Sequence, residues 1–126
     1  MRGRLRFLAL AFAISGCGPV NDERISGPYK LWATDIDEQL HVCYALEDGC
    51  IGRIPATVFE VGYDDRHIVA GVDQHNDGSE IRFYYIIRSL DGPLVDPSVS
   101  VKGPFFSDQF EQEKVRLALP QTRPVS

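Results

Sequence analysis

The sequence predicts an α+β domain: about five short, mostly antiparallel strands in a curled sheet, with one C-terminal helix. Three observations lead there. Short apolar runs rich in β-branched and aromatic residues recur between turn residues. The links between them, three to eleven residues long, are too short for the crossover of a dozen or more that a parallel pair requires. After Gly103-Pro104 the apolar spacing lengthens until Pro120 stops it, which marks a helix.

The elements follow in chain order. Tyr29 to Ala33 (YKLWA) reads as the first strand. Gln39 to Leu46 alternates, with Leu40, Val42 and Tyr44 on one side and His41 on the outer one. Val58 to Tyr63 follows Ile54-Pro55, and His67 to Val72 is entered through an Asp64-Asp65 turn. Asn76-Asp77-Gly78 marks a hairpin into Ile81 to Arg88, the segment richest in strand formers. Within it Phe83 and Tyr85 share one face and Tyr84 takes the other. If the helix leaves that second face open, Tyr84 belongs to an exposed patch suited to a partner. Leu90 to Gly103 reads as irregular, with Gly92-Pro93 and Asp96-Pro97. Ser107 then reads as the N-cap of a helix from Asp108 to Leu119, with Asp108 and Glu111 in the first turn and Phe110, Val115, Leu117 and Ala118 as its apolar stripe.

Ahead of the domain stands MRGRLRFLALAFAISGC. Arg2, Arg4 and Arg6 precede an uncharged apolar run from Phe7 to Ile14, then small Ser15 and Gly16. The run falls well short of the ~20 residues that span a bilayer, so the pattern is that of a cleaved export signal. Ile14-Ser15-Gly16-Cys17 resembles the lipobox of bacterial lipoproteins. That resemblance implies cleavage after Gly16 and a thioether-linked lipid on Cys17. Gly18, where a retained inner-membrane lipoprotein of enteric bacteria has Asp, implies the outer membrane, facing the periplasm. Several acyl chains, at ~0.8 kcal/mol per buried methylene, hold a protein on a bilayer where one chain does not. The chain thus divides into a signal (1–16), a lipid-anchored polar tether (17–27) and one domain (28–126).

The signal takes three of the 13 basic residues and none of the 18 acidic ones, leaving 10 against 18, a formal charge of −8. Such a body disfavours nucleic acid and would attract a cationic partner. Beside Cys17, the remaining Cys43 and Cys50 make an even pair for an oxidising compartment, with Glu47-Asp48-Gly49 between them. A turn at Asp48-Gly49 would bring Cys50 back beside Cys43 and allow a disulfide, for which the chain-entropy account gives ~2–3 kcal/mol.

Few residues carry a chemical signature. Asp73-Gln74-His75-Asn76-Asp77-Gly78 matches the first half of a calcium loop, but His75 stands where an oxygen ligand belongs and Tyr84 where the bidentate Glu would be. The same residues suffice for a hairpin. His41, His67 and His75 lack zinc spacing, and there is no nucleophile elbow. No metal, cofactor or catalytic set is expected. Asp35, Asp37 and Glu38, like Asp64 and Asp65, cluster in turns, where Asp is favoured for backbone reasons. The first cluster is also a candidate contact for a cationic partner.

Taken together, Ile54-Pro55-Ala56-Thr57-Val58, Val61-Gly62-Tyr63-Asp64-Asp65 and His67-Ile68-Val69-Ala70 resemble a pattern in a family of small, uncharacterised bacterial lipoproteins. A tyrosine-rich strand, Gly103-Pro104 and a short terminal helix complete it. The resemblance implies the fold and an envelope address, and no activity. The expectation is therefore a non-enzymatic binding module, one version being an inhibitor of a cationic hydrolase. The alternative is a structural accessory of an envelope assembly or secretion machine.

Overall fold

The computed structural model describes residues 18–125. The segment read as an export signal, and Cys17, lie outside the described residues. Nine strands form two antiparallel sheets instead of one curled sheet of five. The first sheet is a meander of β1 (Asn21–Ser26), β2 (Tyr29–Ala33), β3 (His41–Leu46) and β4 (Gly49–Ile54). The second contains β5 (Val58–Tyr63), β6 (His67–Asp73), β7 (Ile81–Ile87) and β8 (Val101–Phe105), with β9 (Arg123–Pro124) on the far edge of β5. Helix α1 is one turn, Pro97–Ser100, and α2 runs Ser107–Leu117.

The alternating apolar residues explain the layers. Leu31, Val42 and Ile54 of the first sheet meet Val58, Ile68, Val72, Tyr84 and Ile86 of the second in one buried cluster. The second sheet buries its other face too. Val69 and Tyr85 pack with Phe110 and Leu119 beneath α2, flanked by Phe83, Phe105 and Leu117. Phe83 stacks on Phe110 at 4.8 Å between centroids. The order of layers is sheet, sheet, helix, and β6 and β7 are central to it.

This arrangement corrects the exposure expected of Tyr84. It is 9% exposed and sits in the main core, because the face opposite the helix is covered by the first sheet. It also corrects the helix stripe. Val115 is 84% exposed, and between Phe110 and Leu117 the inward position belongs to Glu113, which accepts a 2.7 Å hydrogen bond from the Tyr85 hydroxyl. The N-cap is Phe106 with Ser107 already helical. The helix ends at Leu117, with Ala118 in a left-handed turn. The Gln109 side chain reaches back to the Phe106 N–H at 2.8 Å.

Part of the stretch read as a polar tether is a strand. Asn21–Ser26 is strand β1, paired with β2 from Asn21↔Ala33 to Ser26↔Tyr29. Only Ile25 of it is buried, since an edge strand needs a single inward anchor, and its polarity hid it. The segment read as irregular holds α1, capped by Asp96, and β8.

A buried polar network ties these layers together. Arg53 on β4 places Nε 3.2 Å from Asp91, both side chains being sealed from solvent. Beside this ion pair, Asp91 accepts hydrogen bonds from the Tyr29 hydroxyl and the Ser100 hydroxyl, each at 2.8 Å, and Arg53 donates through its other nitrogen to the Gly92 carbonyl. Burial and the bond to Asp91 raise the Tyr29 pKa, so its hydroxyl remains a donor.

Candidate acidic site

One end of the sandwich collects the β2–β3 connection and the β6–β7 hairpin. After Ala33 the chain makes a single 3₁₀ turn, Asp37–Gln39, before Leu40 plunges into the core. The Gln39 side chain accepts from the Asp35 N–H at 2.9 Å, and the Thr57 hydroxyl donates to the Glu38 carbonyl. These bonds fix the turn's backbone and leave its side chains outward. Asp35, Ile36, Asp37 and Glu38 are all exposed. Among the described residues, none of the three carboxylates has a cation within ion-pair distance.

Beside this turn lies a hollow of about 300 Å³. Asp37, Glu38 and Asn76 stand on its rim, and Leu40, Val58 and Phe59 offer apolar surface within it. Of the residues singled out from sequence, the structure brings Asp37 and Glu38 into one cavity wall with Asp35 on the same turn. Tyr84 is not part of it.

The hairpin residues are occupied with their own backbone. Asp73 accepts from the Asp77 and Gly78 N–H groups at 3.2 and 3.0 Å, and Asp77 accepts from Ser79. The bonds from Ser79 hold the Asp77 pKa below the ordinary carboxylate value. His75 lies 2.7 Å from Glu80 on the surface. The calcium-loop resemblance is therefore filled by turn chemistry.

Cys43 and Cys50 are joined in a disulfide, with Cα atoms 5.7 Å apart. The hairpin loop is Glu47-Asp48, one residue earlier than expected, which sets Cys50 opposite Ala45 and makes the link diagonal. His41 lies close enough that its nitrogen and the two sulfurs fall within 4.8 Å of one another. Once the sulfurs are bonded to each other, the cluster offers a metal only the imidazole, whose Nδ1 lies 3.1 Å from the Gln39 carbonyl.

No family model, no curated protein and no solved structure matches the chain.

At the opposite end of β6 and β7 the structure opens a groove of about 650 Å³ that sequence reasoning missed. It brings Arg66 and His67 from the β5–β6 turn beside Arg88 after β7 and Arg116 near the end of α2. Of these, only His67 stood out in the sequence. The arginines come from three separated segments, and no local spacing announces them.

Proposed function

We propose that the chain is a lipid-anchored lipoprotein of the cell envelope, facing the periplasm, that acts as a non-enzymatic binding module for a cationic protein. An inhibitor of a cationic hydrolase is one concrete version. The Asp35–Glu38 turn carries this reading: three exposed, unpaired carboxylates around the exposed side chain of Ile36, beside a hollow with an apolar lining. A lysine or arginine of the partner could lay its aliphatic stem along the half-buried Phe59 and Val125 and present its charge to Asp37 and Glu38. The excess of acidic residues over the whole body supports this, because complementary charge steers such an encounter and raises its rate. The Cys17 lipobox and the disulfide support an extracytoplasmic address.

The test is capture of partners from periplasmic extract at low and high salt, with the native chain and with an Asp35→Asn, Asp37→Asn, Glu38→Gln variant. A cationic protein should be retained at low salt, released at high salt and lost by the variant. No retained protein at either salt, or equal retention by the variant, would overturn the reading.

A further inference from the structure

We infer that the groove at the Arg66–His67 end is a binding site for a small monocarboxylate that carries an apolar chain. It lies in a body with excess negative charge, yet three of the ten basic residues beyond the signal line it. Among the described residues, neither Arg66 nor Arg88 lies within ion-pair distance of a carboxylate. Arg88 is held by neutral oxygens, the Ser26 hydroxyl at 3.0 Å and the Asp64 carbonyl at 2.8 Å, so it is positioned without being neutralised. Arg116 is already paired with Glu113 at 2.7 Å.

His67 is the buried member of the lining. Its residue is 7% exposed, it lines the groove, and its buried Nδ1 has no hydrogen-bond partner. Asp64 Oδ1 stands 3.9 Å away, beyond bonding distance, and spends its bonds on the Arg66 and His67 backbone N–H groups. That nitrogen is closed off from the groove as well as from solvent, so His67 serves the site as a lining ring and not as a donor.

Charge selects the ligand class. The lining itself sets three arginines against Asp65, and Glu113 pairs with Arg116, which leaves one positive charge for one negative charge; Asp64, just beyond the lining, disfavours a second. The planar guanidinium fork matches a carboxylate. Ile87 and Leu117 provide the apolar surface for a hydrocarbon chain, and the volume is in the range of small-molecule sites.

The experiment follows amide NMR shifts of the full chain during titration with hexanoate, 1-hexanol and inorganic phosphate. Hexanoate should give saturable shifts at residues 65–67, 87–89 and 116–117, and the other two should not. Arg66→Gln and Arg116→Gln, both at exposed side chains, should each weaken hexanoate by roughly tenfold, the loss expected of a charge-assisted bond. Arg88 is left intact because it braces Ser26 and the Asp64 carbonyl. No saturable shift with hexanoate would overturn the inference. So would phosphate or hexanol binding as tightly, or unchanged hexanoate affinity in both variants. The outcome is independent of whether the acidic end captures a protein.

Discussion

Replacing Asp91 with alanine would remove the acceptor of two buried hydroxyls and the counter-charge of a buried guanidinium. Arg53 Nε at 3.2 Å, the Tyr29 hydroxyl at 2.8 Å and the Ser100 hydroxyl at 2.8 Å all converge on that carboxylate. Arg53 would keep only the Gly92 carbonyl, and its charge would lie uncompensated in the interior. Breaking a buried ion pair from one side costs ~3–5 kcal/mol. That is a large share of the ~5–15 kcal/mol typical of a domain. Equilibrium unfolding in urea should show a midpoint lower by about 2 M, given a slope of roughly 1–3 kcal/mol per molar. The pairing of Arg53→Met with Asp91→Ala separates charge from shape. Removing both partners leaves no stranded charge, so the double variant should be more stable than the sum of the single losses predicts. A loss under ~1 kcal/mol for Asp91→Ala would refute the argument. Strict additivity in the double variant would refute it equally.

Two further outcomes follow from the structure. Reducing the Cys43–Cys50 bond, which closes a loop of sequence separation 7, should cost ~2.5 kcal/mol by the loop-entropy relation, read as a urea-midpoint difference with and without reductant. An unchanged midpoint would show that the hairpin is already closed in the unfolded chain. Burial lowers the pKa of His67, helped by Arg66 and opposed by Asp64, beneath the T-stacked ring of Tyr85. The folded protein therefore favours the neutral ring, so His67 contributes its full stability above its ordinary pKa of 6.5 and loses it as pH falls below that value. His67→Gln should flatten the decline in stability from pH 7 to 5, and parallel curves for the two proteins would contradict this.

Five strands were legible because each is a short apolar run bounded by turn residues, alternating in Tyr29–Ala33 and continuous in the doubly covered His67–Asp73; these two, His41–Leu46, Val58–Tyr63 and Ile81–Ile87 all lie where the sequence puts them, within two residues. Edge strands hid for a physical reason. β1 buries one side chain, and β4 carries Gly49 and Gly52 and places Arg53 in the interior, so neither shows a clean period. Periodicity also says which residues face inward without saying against which sheet. The division at Pro55 into two stacked sheets was therefore invisible, and with it the cover over Tyr84. The acidic turn was readable since its three carboxylates are near neighbours in sequence. The groove was not, since Arg66, Arg88 and Arg116 meet only through the pairing of β6 with β7 and the docking of α2.

The early start of β1 sets a clearance. Val20 already donates its N–H to the Ala33 carbonyl at 3.0 Å, and Asn21 borders the acidic hollow. With a lipid on Cys17, three residue steps of ~3.5 Å each give a leash of only about 10 Å between bilayer and body. The hollow would then open onto headgroup depth, where anionic lipids already gather cationic proteins. The arginine-lined groove, a strand length or roughly 20 Å further out, would look away from the surface. On the proposed anchoring, a leash this short would sort visitors by altitude before any contact is made: proteins grazing the membrane would reach one end, and small solutes further out would reach the other.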